Sequence, residues 1–268
     1  MLGTEEYKVL KRNMGNNFVI IGPMRSGSSS LCSYLDSHPD ITCKFELLHR
    51  NHYKGTIAGV HDYLASRVFD VAPTPFRGFK MLYHQMWGRK TPDCYMIQSI
   101  LKSFGCKVIH LTRRNHFESF VSKCLARRSK VWNVFRTKKA DKHFTMERPG
   151  IIDEYNRPIT VNPEEYLAYI QKLNRWQQAV NELYHDCFKV SYETLEMQLY
   201  DVADFLGAPR KPMTCDTIKL RTKSMSEVVS NYDEVKDLLP LIEREVPLLN
   251  SLGSVDWRTR SCGWGNHR

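Results

Sequence analysis

The chain has 268 residues, of which 42% are hydrophobic and 25% charged, and it carries a net charge of +10. That composition belongs to a globular protein long enough to fill a core, and it excludes a disordered or low-complexity chain. No apolar run approaches the ~18–20 residues needed to cross a bilayer, and residues 1–17 are polar with no signal-type apolar region, so a cytoplasmic protein without a membrane span is expected. Eight cysteines are scattered without a C-x-x-C pair, which reads as reduced thiols rather than a disulfide frame or a zinc site.

A single domain over residues 1–268 is expected, with a flexible N-terminus to about residue 16. The first strand is predicted at Phe18–Ile21 and ends at Gly22, and a polar loop then leads into a helical pattern over Ser28–Ser37. Strand, loop and helix N-terminus in that order form an anion site, because backbone N–H groups converge there. Gly22 and Gly27 have the spacing of the nucleotide-triphosphate loop G-x-x-x-x-G-K-[ST], but Ser28 stands where the lysine belongs. The loop is suited to a phosphate but lacks the cation that reaches β- and γ-phosphates.

Further strands are predicted at Ile41–Lys44, Gly78–Leu82, Lys107–Thr112 and Cys187–Ser191, with helices at Pro92–Phe104 and His116–Arg128 between them. This alternation predicts an α/β fold around a mostly parallel sheet. The second half reads as helical at Pro163–Tyr184, Leu195–Leu206, Met225–Val229 and Tyr232–Glu245. Asn162-Pro163-Glu164-Glu165 is a helix start, and Gly207 followed by Pro209 is a helix stop. Thr137–Asn162 matches neither pattern and is read as a flap beside the acceptor. Arg127, Arg128, Lys130, Arg136, Lys138, Lys139 and Lys142 concentrate positive charge, either as a solvated face or as a rim that attracts anions. The segment lacks the aromatic interleaving of a single-strand nucleic-acid binder.

The strand at Lys107–Thr112 ends in Arg113-Arg114, where many triphosphate-binding proteins place a metal-holding aspartate. Two arginines there repel a metal and attract a second phosphate. Ser122 lies two turns along the next helix from Arg114 and can line the same groove. Two separated phosphate sites without a triphosphate–magnesium unit are therefore expected.

These residues carry a resemblance. Gly22-Pro23-Met24-Arg25-Ser26-Gly27-Ser28-Ser29 is similar to the G-x-P-[RK]-S-G-[ST]-[ST] loop of sulfotransferases that use 3′-phosphoadenosine 5′-phosphosulfate (PAPS). Arg114-Asn115 through Ser122 matches their strand-then-R-N-x-x-x-x-x-x-S element. Val190-Ser191-Tyr192-Glu193-Thr194-Leu195 with Asp204-Phe205-Leu206-Gly207 resembles their YEDL…FLG region, and Leu125-Ala126-Arg127-Arg128 with Trp132 their LAR…W run. The chain most resembles the bacterial kind that includes trehalose and nodulation-factor sulfotransferases, over roughly residues 17–210. It departs at Arg258–His267, only loosely similar to the family's C-terminal glycine-rich loop, and at Leu31 or Cys32, where many eukaryotic members stack a tryptophan under adenine.

The resemblance implies a P-loop-kinase-like fold and a PAPS donor leaving PAP as product. It implies an acceptor hydroxyl on a small molecule or glycan, and no metal or nucleic-acid partner. The donor contacts would be Arg25, Ser26, Gly27, Ser28, Ser29, Ser30, Arg114, Ser122 and Tyr192. Glu46 is read as the catalytic base, its carboxylate desolvated between Phe45 and Leu47-Leu48 and so raised in proton affinity; the alternative is a capping or salt-bridging glutamate. His49, His52 and His84 are the other candidate bases, while His38 reads as part of a turn. Arg25 would neutralise the leaving group. Lys80 would face the sulfuryl group or acceptor, or else snorkel from a strand end. A divergent P-loop kinase, or a protein that holds PAP or nucleic acid without turnover, are the competing classes.

Overall fold

The computed structural model describes residues 16–49, 51–87, 94–137 and 145–239. The described elements are β1 (Asn17–Gly22), α1 (Ser28–Ser37), β2 (Ile41–Lys44), α2 (Val60–Leu64, continued by a π turn to Phe69), β3 (Phe76–Leu82), α3 (Tyr83–Met86), α4 (Cys94–Ser103), β4 (Lys107–Thr112) and α5 (His116–Ser129). After them come β5 (Val134–Phe135), β6 (Thr145–Met146), α6 (Ile151–Tyr155), α7 (Pro163–Leu183), β7 (Phe188–Ser191), α8 (Leu199–Leu206), α9 (Met225–Val228) and α10 (Tyr232–Val235).

Five parallel strands form the main sheet in the order β2-β3-β1-β4-β7. Parallel strands are buried on both faces, which explains the near-continuous apolar runs. Along β1, Val19 and Ile21 enter one core, with α2, α4 and α7. Phe18 and Ile20 enter the other, with α1 and α8. A third core joins α5, α6 and α7 to residues 218–239. The chain leaves β1 toward β2 on one side and later crosses to β4 on the other, so the strand order reverses beside β1. In open parallel sheets the ligand crevice opens at that switch point, outside the carboxyl ends of the strands.

The structure departs from the expected elements in a few places. Thr137–Asn162 contains β6 and α6, because Ile151 and Tyr155, one turn apart, bury one side of α6 in the third core. Such a short helix leaves no periodic signature. The helix expected over Leu195–Leu206 begins at Leu199, after 3₁₀ turns at Tyr192–Thr194 and Glu196–Gln198. The seven described cysteines form no disulfide with one another. Lys138, Lys139, Lys142, the N-terminal arm to residue 15, the end of the Tyr232–Glu245 helix and Arg258–His267 lie outside the described residues. No helix among the described residues is long and apolar enough to cross a membrane.

Gly78 shows how tightly the sheet is covered: a Cβ there would sit 2.5 Å from the ring of Phe18, which is fully buried. Gly78→Ala should therefore destabilise the fold by about 1–3 kcal/mol through overpacking, read as a lower guanidinium midpoint with an unchanged slope. An unchanged midpoint would show that the Phe18 ring can yield.

Candidate functional site

The switch point opens into a cavity of about 1210 Å³. Its floor is the loop between β1 and α1. Arg25 and Gly27 hold left-handed backbone angles, φ 65° and 83°. Gly27 caps α1 and no side chain caps the first-turn N–H groups of Ser28, Ser29 and Ser30. A Cβ on Gly27 would meet the Tyr192 ring at 2.3 Å. Gly27, Ser28, Ser29, Ser30 and Tyr192 line the cavity together. Ser26 does not: it is fully buried and its hydroxyl donates to the Pro23 carbonyl at 2.8 Å, bracing the loop from behind.

Lys80 and Glu46 meet beside the loop. Lys80 stands near the end of β3, paired in register with Ile20 of β1. It does not snorkel to solvent; it is 2% exposed. Its Nζ donates to Ser29 Oγ at 2.7 Å and pairs with Glu46 Oε1 at 3.0 Å. Gln85 Nε2 donates to the other Glu46 oxygen at 2.9 Å, while Gln85 Oε1 accepts from the Leu82 N–H at 3.0 Å. The carboxylate is thus gripped at both oxygens.

Its protonation runs opposite to the expectation from burial. Desolvation pushes the Glu46 carboxyl up, but the charge and hydrogen bond of Lys80 and the charges of His84 and His49 together hold it below its ordinary value of 4.5. The neighbours of Glu46 in sequence suggested desolvation alone, because Lys80 arrives from a distant strand. His84, on the same wall, is pushed down to about 4 by burial, with Glu46 only partly offsetting it. It is therefore neutral near pH 7. His49 and His52 also line this end, and His38 is buried in its turn with Nε2 2.8 Å from the Pro209 carbonyl.

At the other end, Arg25 does not lie along the loop. Its Nε donates to Ser122 Oγ at 2.9 Å, one Nη donates to the Trp132 carbonyl, and the other reaches the Tyr155 hydroxyl at 3.4 Å. Tyr155, fully buried on α6, bonds both Ser122 Oγ at 3.0 Å and the Ser122 carbonyl at 2.9 Å. The structure thus joins Arg25 to Ser122, which the sequence reading had assigned to separate phosphate sites with Ser122 beside Arg114, and adds Tyr155, which sequence reasoning did not single out.

Arg114 is placed differently from Ser122. It is exposed and is absent from the cavity wall, and its backbone N–H donates to Glu193 Oε1 at 2.9 Å. Arg113 does line the cavity: it stacks 4.4 Å from the Tyr192 ring centre, donates to the Arg25 carbonyl at 3.1 Å and pairs with Glu118. Of the described basic segment, Arg136 also reaches the wall, whereas Arg128 donates to the carbonyls of Glu154, Tyr155, Arg157 and Pro158 and so secures the end of α6.

No protein-family model matches the chain, and no curated protein matches it. Among solved structures, it is similar to the crystal structure of a sulfotransferase from Alicyclobacillus acidocaldarius. That likeness is at 14% identity and a TM-score of 0.48, over 87% of this chain and 94% of the other.

Lys80→Met tests the charge arrangement. A carboxyl held below its unfolded value contributes stability that is present above that value and lost as the pH falls through the depressed one. Without Lys80, burial dominates and the Glu46 carboxyl rises above its unfolded value, so the acid loss of stability that Glu46 contributes should disappear and reverse, the variant gaining stability from Glu46 as the pH falls through the raised value. Carboxyl-carbon NMR of Glu46 and unfolding curves across the acid range would read this; an unmoved titration would mean that Lys80 does not set the charge of Glu46.

Proposed function

We propose that the protein is a PAPS-dependent sulfotransferase acting on an acceptor hydroxyl, on a carbohydrate or glycolipid. The observation that carries this reading is the Ser29–Lys80–Glu46 chain of contacts, which joins a lysine-free phosphate loop to an ionised carboxylate in one cavity. In a triphosphate enzyme the loop itself would carry the lysine and β4 would end in a metal-holding acid; here β4 runs into Arg113-Arg114.

In this reading the 5′-phosphosulfate of the donor lies on the loop N–H groups of residues 27–30. The second phosphate of the nucleotide lies toward Ser122 and Arg113, the arginine after β4 that lines the cavity. Tyr192, held between Gly27 and Arg113, offers a ring edge to the nucleotide. Glu46 takes the proton of the acceptor hydroxyl as its oxygen bonds to sulfur and the bond from sulfur to the bridging phosphate oxygen breaks, in line. The products are the sulfate ester and PAP. Lys80 steadies the charge that spreads over the sulfuryl oxygens, and its pairing keeps Glu46 ionised and ready to accept a proton. Neutral His84, with His49 and His52, supplies hydrogen-bonding groups at the acceptor end, which suits a hydroxyl-rich molecule. Arg25 neutralises the leaving phosphate by exchanging its bond to Ser122 for one to the ligand.

Two measurements check this. Calorimetric titration should show PAP binding that needs no Mg²⁺ and no comparable binding of ATP; ATP–Mg²⁺ binding without PAP binding would instead make the protein a kinase-type enzyme. Glu46→Gln should lose about 100-fold or more of sulfuryl transfer from PAPS, in the range of general-base losses, while still binding PAP. Near-normal turnover in that variant would remove Glu46 as the base.

A further inference from the structure

The segment after α8 contributes more to the cavity than its sequence suggested. Residues 216–222 form a strap that is fixed rather than loose. Thr217 makes an antiparallel bridge with Phe135, and the Ile218 N–H donates to the Val134 carbonyl at 2.9 Å. Asn156, fully buried, donates to the Leu220 carbonyl at 2.7 Å and accepts from the Thr222 N–H at 3.2 Å. Leu220, 4% exposed, packs in the third core, and Thr217, Lys219 and Arg221 line the cavity together with Ile218 and Leu220. Thr217 meets Ser30 of the loop at 2.9 Å, fixing the distance between strap and loop.

At the end of this ledge, Arg221 and Arg113 share one carboxylate. Glu118 pairs with Arg221 at 3.0 Å and with Arg113 at 2.5 Å. Two guanidinium groups against one carboxylate leave a net positive charge, to which Lys219 adds. Arg113 is about nine-tenths buried, and its Nε–H has no hydrogen-bond partner among the described residues. A buried donor left unpaired on a cavity wall points to an acceptor that the ligand brings.

We propose that Arg221 and Lys219 of the strap, with Arg113, form the seat for the phosphomonoester at the far end of the nucleotide, and that Glu118 holds the two guanidinium groups in position. This rests on the nucleotide reading of the cavity given above. It assigns discrimination between a nucleoside 3′,5′-bisphosphate and a 5′-monophosphate to a segment outside the strand, loop and helix motifs.

The test is calorimetric titration of the full chain with PAP and with adenosine 5′-monophosphate, in parallel. Arg221→Ala should weaken PAP by about 10-fold or more, the worth of a charge-assisted contact, and the monophosphate by less than about 3-fold. Lys219→Ala, at an exposed position, should show a smaller loss in the same sense and remains informative if Arg221→Ala does not fold. Lys102→Ala, on exposed α4 surface outside the cavity, controls for the loss of one positive charge. A parent protein that does not prefer PAP over the monophosphate would overturn the nucleotide reading itself. A parent that prefers PAP, with Arg221→Ala and Lys219→Ala unchanged or equally weakened for both nucleotides, would overturn only the strap assignment.

Discussion

A buried ammonium must be paired, and the candidate site is built around meeting that requirement for Lys80. An unpaired charge in a protein interior is costly, and removing one partner of a buried pair costs several kcal/mol. Lys80 is held by β3 in the sheet interior, so Glu46 and Ser29 are drawn to it from either side. One interaction therefore fixes three things: the position of the loop helix, the orientation of the residue that follows β2, and the charge of the carboxylate. Gln85 completes the arrangement by tying the second carboxylate oxygen to the start of α3.

The other end of the cavity is satisfied by a different means. Arg25, Ser122 and Tyr155 hydrogen-bond among themselves. These are the bonds of a site that is complete without a visitor, so an anion entering here exchanges protein contacts for its own. Hydrogen bonding in folded proteins is this kind of exchange, which is why its net worth is modest although each bond is strong. The carbonyl-gripping Arg128 keeps α6, and hence Tyr155, in place during such an exchange.

Much of the frame was legible because its signals are local. The five strands of the main sheet announced themselves as apolar runs, though the short β5 and β6 did not, α1 began where Gly22 and Gly27 placed it, and α7 began at its Asn162-Pro163 cap, where the Asn162 side chain accepts from the Glu164 N–H. What was not legible depends on contacts between distant segments. The lowered Glu46 carboxyl comes from Lys80, 34 positions later in the chain, and no reading of Phe45-Glu46-Leu47 contains it. Arg113 and Arg114 are adjacent and chemically identical, and only the geometry at the end of β4 sends one to the cavity and leaves the other exposed. The short α6 and the 217–221 strap are specified by Tyr155, Asn156 and Leu220, whose partners lie far away in the chain.

The order of strands has a consequence for the birth of the molecule on the ribosome. β1 and the loop after it emerge before β3 and β4, yet β1 is flanked by both. One of its edges waits for β3, which ends at Leu82, and the other for β4, which ends at Thr112, while β4 in turn waits for β7, which ends at Ser191. Non-local parallel pairing of this kind is slow and leaves strand edges exposed meanwhile. The fully apolar Phe18–Ile21 run is thus the stretch most in need of shielding during synthesis, and the nascent chain becomes safe from sticking only when its C-terminal half arrives to close the sheet.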